Sequence, residues 1–214
     1  MLPIDPEREE LRQTPRGDWW TDPDWLRSLA LIDELGLSFD LQIHIPQMPA
    51  AAELVERFPN LQFILNHAGF PYITDDETLA AWREGMQLLA ARPNIACKIS
   101  GLGMADYDDS HIICVRGKSA AEIATSIQPF VIETIDAFGV DRCMLASNFP
   151  VDKLMCSWYL LMQQLCCCPL SFMKTYRFPR QARDKDESHF DPSLPLTGAL
   201  LSQVRSLYGV RERP

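Results

Sequence analysis

Residues 58–71 read FPNLQFILNHAGFP. The opening Phe-Pro-Asn closes a helix and turns the chain, and the apolar run that follows predicts a buried strand. His67 then stops the strand on a polar group, Gly69 bends the backbone and Pro71 stiffens the departing loop. The sequence repeats this punctuation at 143–150, CMLASNFP, with Asn148 where the first copy has His67.

Outward from this stretch, helix and strand signals alternate. TDPDWLRSLALIDELG (21–36) offers Thr21 or Asp22 as N-cap, Pro23 in the first turn, Trp25, Leu29 and Ile32 on one face and Gly36 as a stop. A strand LSFDLQIH (37–44), a helix PAAAELVERF (49–58), the strand LQFILNH (61–67), a helix DETLAAWREGMQLLAA (76–91) and a strand IACKIS (95–100) follow in turn. FPN at 58–60 and RPN at 92–94 mark two tight helix-to-strand joints. A fourth unit pairs the helix PFVIETIDAFG (129–139) with the strand RCMLAS (142–147). Helices alternating with nearly continuous apolar strands predict a parallel sheet covered by helices, hence an α/β class.

Two segments break the rhythm. The text between Ser100 and Phe130 is long for a strand-to-helix loop, with an irregular insertion near 106–124. Beyond residue 154 the alternation ends, so the chain is expected to divide into a βα portion, 1–154, and an atypical segment, 155–214. The charged text from Lys174 to Pro195 predicts disorder, and Leu196, Leu200, Val204 and Leu207 mark one face of a terminal helix.

Composition narrows the function classes. With 20 Lys and Arg against 29 Asp and Glu, the net charge of −9 disfavours nucleic acid as a partner. Seven cysteines without a C-x-x-C pair predict reduced thiols and a cytoplasmic setting, and the polar N-terminus carries no secretory signal. The uncharged run 154–173 has the length of a membrane span. Gln163, Gln164, Ser157 and Pro169 interrupt it, which favours a packed core segment over membrane insertion. G-x-S-x-G, Walker A and G-x-G-x-x-G motifs are all missing from the sequence, so serine-hydrolase chemistry and nucleotide cofactors are not indicated.

Strand parity sorts the polar groups. Asp40, Gln42 and His44 share one face of the first strand, and Ala96, Lys98 and Ser100 share one face of the third. His67 falls on the face of Phe63 and Leu65, and Asn148 on that of Met144 and Ala146. His67 and Asn148 both stand at carboxyl strand ends, where parallel α/β folds gather their chemistry. Each has a bland alternative: a hydrogen-bonded structural histidine, a Lys98–Asp40 pair that merely neutralises charge, and an Asx-turn role for Asn148. Two histidines and an amide could orient a carbonyl, bind a divalent metal or activate water, while Lys98 could hold a substrate carboxylate. His111 and His189 fall in irregular segments and are read as solvated.

Segments 37–59, 63–71, 93–104 and 138–154 together resemble the amidohydrolase-related family, in the branch of pyrone-dicarboxylate and sugar lactonases. The resemblance covers residues 11–154 apart from the segment near 106–124. It implies a parallel, TIM-barrel-like metal-dependent hydrolase fold, and it begins near the middle of such a barrel, so an incomplete barrel is expected. It implies a hydrolase that opens a small carboxylated or sugar lactone by water attack. In that reading His44, His67 and Asn148 are catalytic, and Gln42, Lys98 and Ser100 bind substrate. Asn148 occupies the family's aspartate position, and Asp152 and Asp40 are the candidates for a general base, with helix capping and charge pairing as their bland roles. A divalent metal such as zinc would take His44 and His67 as ligands, although the lactonase branch can work without a tightly bound metal and no H-x-H occurs in this chain. The alternative is a non-catalytic barrel fragment acting as an interaction protein or not stably folded. The expected partners are a small-molecule substrate and, if a second copy completes the barrel, a homodimer; no membrane is expected.

Overall fold

A computed structural model describes residues 17–102, 119–148 and 151–152, all within the unit Met1–Leu170. The readings for 1–16, for most of the 106–124 insertion, for the uncharged run from 154, for the C-terminal segment, and for His111 and His189 lie outside the described residues.

Four helix–strand units follow one another: α1 (Pro23–Glu34) and β1 (Ser38–Leu41), α2 (Met48–Arg57) and β2 (Gln62–Leu65), α3 (Asp76–Ala90) and β3 (Ile95–Ile99), α4 (Ala120–Phe138) and β4 (Cys143–Leu145). The caps explain most of the helix boundaries. The Asp22 carboxylate accepts from the backbone N–H of Asp24 and Trp25 with Pro23 in the first turn, and Gly36 ends the unit at φ +65°. Asp75 and Thr78 form a capping box at the start of α3.

The strands form one parallel sheet in the order β1-β2-β3-β4. Its register places Leu41 beside Leu65, Leu65 beside Cys97 and Cys97 beside Cys143, so one face carries Phe39, Leu41, Phe63, Leu65, Ile95, Cys97, Ile99 and Cys143. All but Phe39 are buried, and they join Leu29, Met48, Val55, Trp82 and Ile127 of the helices in one core. The opposite face carries Asp40, Ile64, Ala96, Lys98 and Met144, and none of these five is buried. At the amino-terminal ends of the strands, Asn94 donates its amide to the carbonyls of Val55, Phe58 and Leu61, while Arg142 donates to those of Ala90, Arg92 and Phe138. Two side chains thereby satisfy carbonyls that helix ends and joints would otherwise leave open.

Two expectations are corrected. The strands stop short: β1 ends at Leu41, not His44, with residues 42–44 outside the sheet ladder ahead of a 3-10 turn at Ile45–Gln47, and β2 ends at Leu65, where the backbone enters a 3-10 turn at Asn66–Gly69. The fourth helix begins at Ala120, not Pro129. A capping box between Ser119 and Glu122 starts it, and Pro129 sits inside, where it forgoes one backbone donor without ending the helix.

Candidate active site

The carboxyl ends of β2, β3 and β4 bring together His67, Ser100, Gly101, Asn148 and Asp152. After Leu65 the chain holds His67, Ala68, Gly69 and Phe70 consecutively at positive φ, with 56°, 49°, 71° and 50°. For the three residues with a Cβ this left-handed backbone costs about 1–3 kcal/mol each. Two packing features hold it. The buried Trp82 indole N–H donates to the Ala68 carbonyl at 2.9 Å, and Gly69 leaves room for the Met48 and Met86 side chains.

This turn redirects His67. Strand parity assigns it to the face of Phe63 and Leu65, but a left-handed backbone resets the alternation. Its Nδ1 lies 2.9 Å from the Ser100 hydroxyl, a residue on the parity of Ala96 and Lys98. The ring rests against Gly101, at φ +64°, where an added Cβ would stand 2.6 Å from Nδ1. Burial is the main cause of a His67 pKa lowered to about 4; the Lys98 charge pushes the same way and Asp40 opposes it.

His44 follows β1 and is buried, and neither ring nitrogen has a hydrogen-bond partner among the described residues. Burial lowers its pKa to about 4 as well. Its own backbone N–H donates to the Gln47 side chain, which in turn donates to the Gly17 carbonyl. Phe70 links the two histidines: its ring centroid is 5.0 Å from that of His44 and 4.9 Å from that of His67. Both imidazoles are neutral at pH 7 and flank one aromatic ring.

Asn148, at φ 49°, repeats the left-handed strand end on β4. Its amide Nδ2 donates to Asp152 Oδ1 at 2.7 Å, and its carbonyl accepts from the Val151 N–H at 2.8 Å. Asp152 is buried, which raises its carboxyl pKa to about 6 against the opposing hydrogen bonds from Asn148 and the Gly101 N–H. Lys98 forms an ion pair with Asp40 at 2.7 Å across β2, as its bland reading supposed. Gln42 is half-buried just past β1. The sequence reading overlooked Phe70 and Gly101, whose roles depend on backbone conformation, and Trp82, which it placed only within the helix 76–91.

The described donors do not by themselves complete a metal centre. Among the described residues no three His, Cys, Asp or Glu side chains converge, whereas a catalytic zinc site takes three protein ligands. The described groups offer neutral imidazoles, a hydroxyl, an amide and one buried carboxyl of near-neutral pKa.

A family model described as Amidohydrolase matches residues 11–169. The chain is 43% identical over 136 residues to protein y4mH of Sinorhizobium fredii, covering 64% of this chain and 41% of that protein. It is 28% identical over 147 residues to an L-fucono-1,5-lactonase of Burkholderia ambifaria, covering 69% and 46% respectively. A crystal structure of an amidohydrolase from Burkholderia multivorans with bound Zn is similar at a TM-score of 0.62 and 27% identity, over 71% of this chain and 51% of that one. The chain spans less than half the length of these two curated relatives.

Proposed function

This chain belongs to the amidohydrolase family, and on that premise we propose that it is a hydrolase that opens a small sugar or carboxylated lactone by attack of water. The four parallel βα units are part of the family's α/β barrel. The observation that carries the reading is the pairing of two neutral histidines on Phe70, His44 buried and His67 half-buried, at the carboxyl ends of the strands.

A neutral imidazole can donate from one nitrogen and accept at the other. In the tautomer in which the Ser100 hydroxyl donates to Nδ1, His67 carries its proton on Nε2 and can donate it to the lactone carbonyl. His44, whose ring nitrogens have no hydrogen-bond partner among the described residues, can do the same or orient the water. The Lys98–Asp40 pair and Gln42 offer polar groups to the hydroxyls or carboxylate of the lactone. An L-fucono-1,5-lactonase among the relatives supports a sugar lactone as the substrate class.

The test is hydrolysis of a panel of sugar and carboxylated lactones by the purified chain, followed with a pH indicator, with and without added divalent metal. Turnover is expected, and His67→Ala should lower it by about 100-fold or more. A folded, soluble chain that opens no lactone would instead favour a non-catalytic portion of the barrel acting as an interaction protein.

A further inference from the structure

Lactone hydrolysis needs a group that takes a proton from the attacking water. Asn148 cannot serve, because an amide does not accept a proton near neutral pH. Asp40 is exposed and tied to Lys98. Asp152 is buried instead, and neutral donors hold it. Its side chain is 1% exposed, Asn148 Nδ2 lies 2.7 Å from Oδ1, and the Gly101 N–H donates to the carboxylate. Gly101 is also the residue on which the His67 ring rests, so a single residue separates the carboxylate from the histidine. The Asn148 carbonyl accepts from the N–H of Val151 and of Asp152, and these bonds bring positions 148 and 152 together.

We propose that the Asp152 carboxylate is the general base of the reaction and that the Asn148 amide aims it. The inference rests on the lactonase reading. The water oxygen bonds to the lactone carbonyl carbon while one of its protons passes to Asp152, and the carbonyl π pair moves to oxygen. That pair then re-forms the carbonyl as the ring C–O bond breaks, and the proton on Asp152 passes to the departing ring oxygen. The product is an open hydroxy acid, and Asp152 is again a carboxylate. A carboxyl titrating at about 6 suits this proton transfer, being ionised at pH 7 yet more basic than an ordinary aspartate. Two carboxyl-bearing strand ends are not needed; an amide at 148 and an acid at 152 divide holding and proton transfer between them.

The experiment uses the full 214-residue chain and a lactone that it opens. Asp152→Asn keeps the shape and should lower kcat by about 10²- to 10⁴-fold with KM changed by less than about threefold. Asn148→Ala, which leaves the base but frees it, should lower kcat by about tenfold and shift the acid limb of the pH profile upward, since it removes a donor that holds the carboxylate ionised. A folded Asp152→Asn protein with kcat within about threefold of the parent overturns the assignment and leaves the lactonase reading standing. If the parent opens no lactone on the panel, both fall. Should Asp152→Asn fail to fold, the parent decides alone: an acid limb in kcat near pH 6 is expected, above the titration of His44 and His67 near 4, and a rate flat from pH 5 to 8 overturns the proposal.

Discussion

Gly101 shows how closely the site depends on single atoms. At φ +64°, with the His67 ring against its Cα, it has no room for a methyl group and no backbone strain to spare. Gly101→Ala should destabilise the chain by about 1–3 kcal/mol and lower kcat/KM by at least about tenfold, because the His67 ring must move off Ser100. Urea midpoints and lactone kinetics check both; an active variant of unchanged stability would mean that the ring is not held where the structure places it. Ser100→Ala is milder: it removes one hydrogen bond, worth about 1 kcal/mol, and frees the tautomer of His67, which nitrogen chemical shifts of the ring would report. His67 and Asn148 were legible in the sequence because each ends an apolar run on a polar side chain. Their orientation was not, since parity holds only while φ stays negative and both residues lie in the left-handed region. Asp152 was visible as an acid near a strand end, but its burial and its bond to Asn148 depend on a turn that spacing alone does not specify.

The elements act as supports for that left-handed turn. α3 reaches it through Trp82, whose indole N–H satisfies the buried Ala68 carbonyl, and α2 reaches it through Met48, packed over Gly69 and Gly85. Trp82→Phe keeps most of the apolar contact and loses the donor, so it should cost about 1–3 kcal/mol and reduce turnover more than a core substitution of equal cost elsewhere. Comparing it with Leu54→Val, a buried site on α2, separates the two effects; equal turnover losses at equal stability would show that the bond has no bearing on the site. Ser119→Ala removes the α4 cap and should cost about 1 kcal/mol by thermal melting. The order and type of the elements were readable because periodicity changes from helical to strand-like and back. The start of α4 was not, because Pro129 reads as a first-turn proline, whereas the Ser119–Glu122 box ten residues earlier outweighs the single donor that Pro129 lacks.

For the whole molecule, the same three site groups contribute to the response to acid. His44 and His67 have folded pKa values near 4 against an ordinary 6.5, so between these values the unfolded chain binds protons that the folded chain refuses, and stability rises with pH. Asp152 works in the opposite sense: near 6 against 3.8, it keeps a proton in the folded state that the unfolded chain has released, so its contribution falls as pH rises. Two histidines against one carboxyl leave these three groups a net slope of about one proton between pH 4 and 6, so together they favour the fold at pH 7 over pH 4 by on the order of 3 kcal/mol. His44→Gln should flatten the curve between pH 4 and 6, since one histidine and one carboxyl then cancel, and Asp152→Asn should steepen it toward two protons. Urea midpoints followed by tryptophan fluorescence at half-unit steps of pH measure all three slopes. Parallel curves would mean that these groups are solvated, and with them the premise of a dry site at the carboxyl ends of the sheet would fail. The Lys98–Asp40 pair lies on the face of the sheet that the described residues leave open, and as a half-exposed ion pair it should add less than about 1 kcal/mol and only at low salt. The acid slope should therefore survive about 0.5 M salt nearly unchanged, because its origin is burial and not charge pairing.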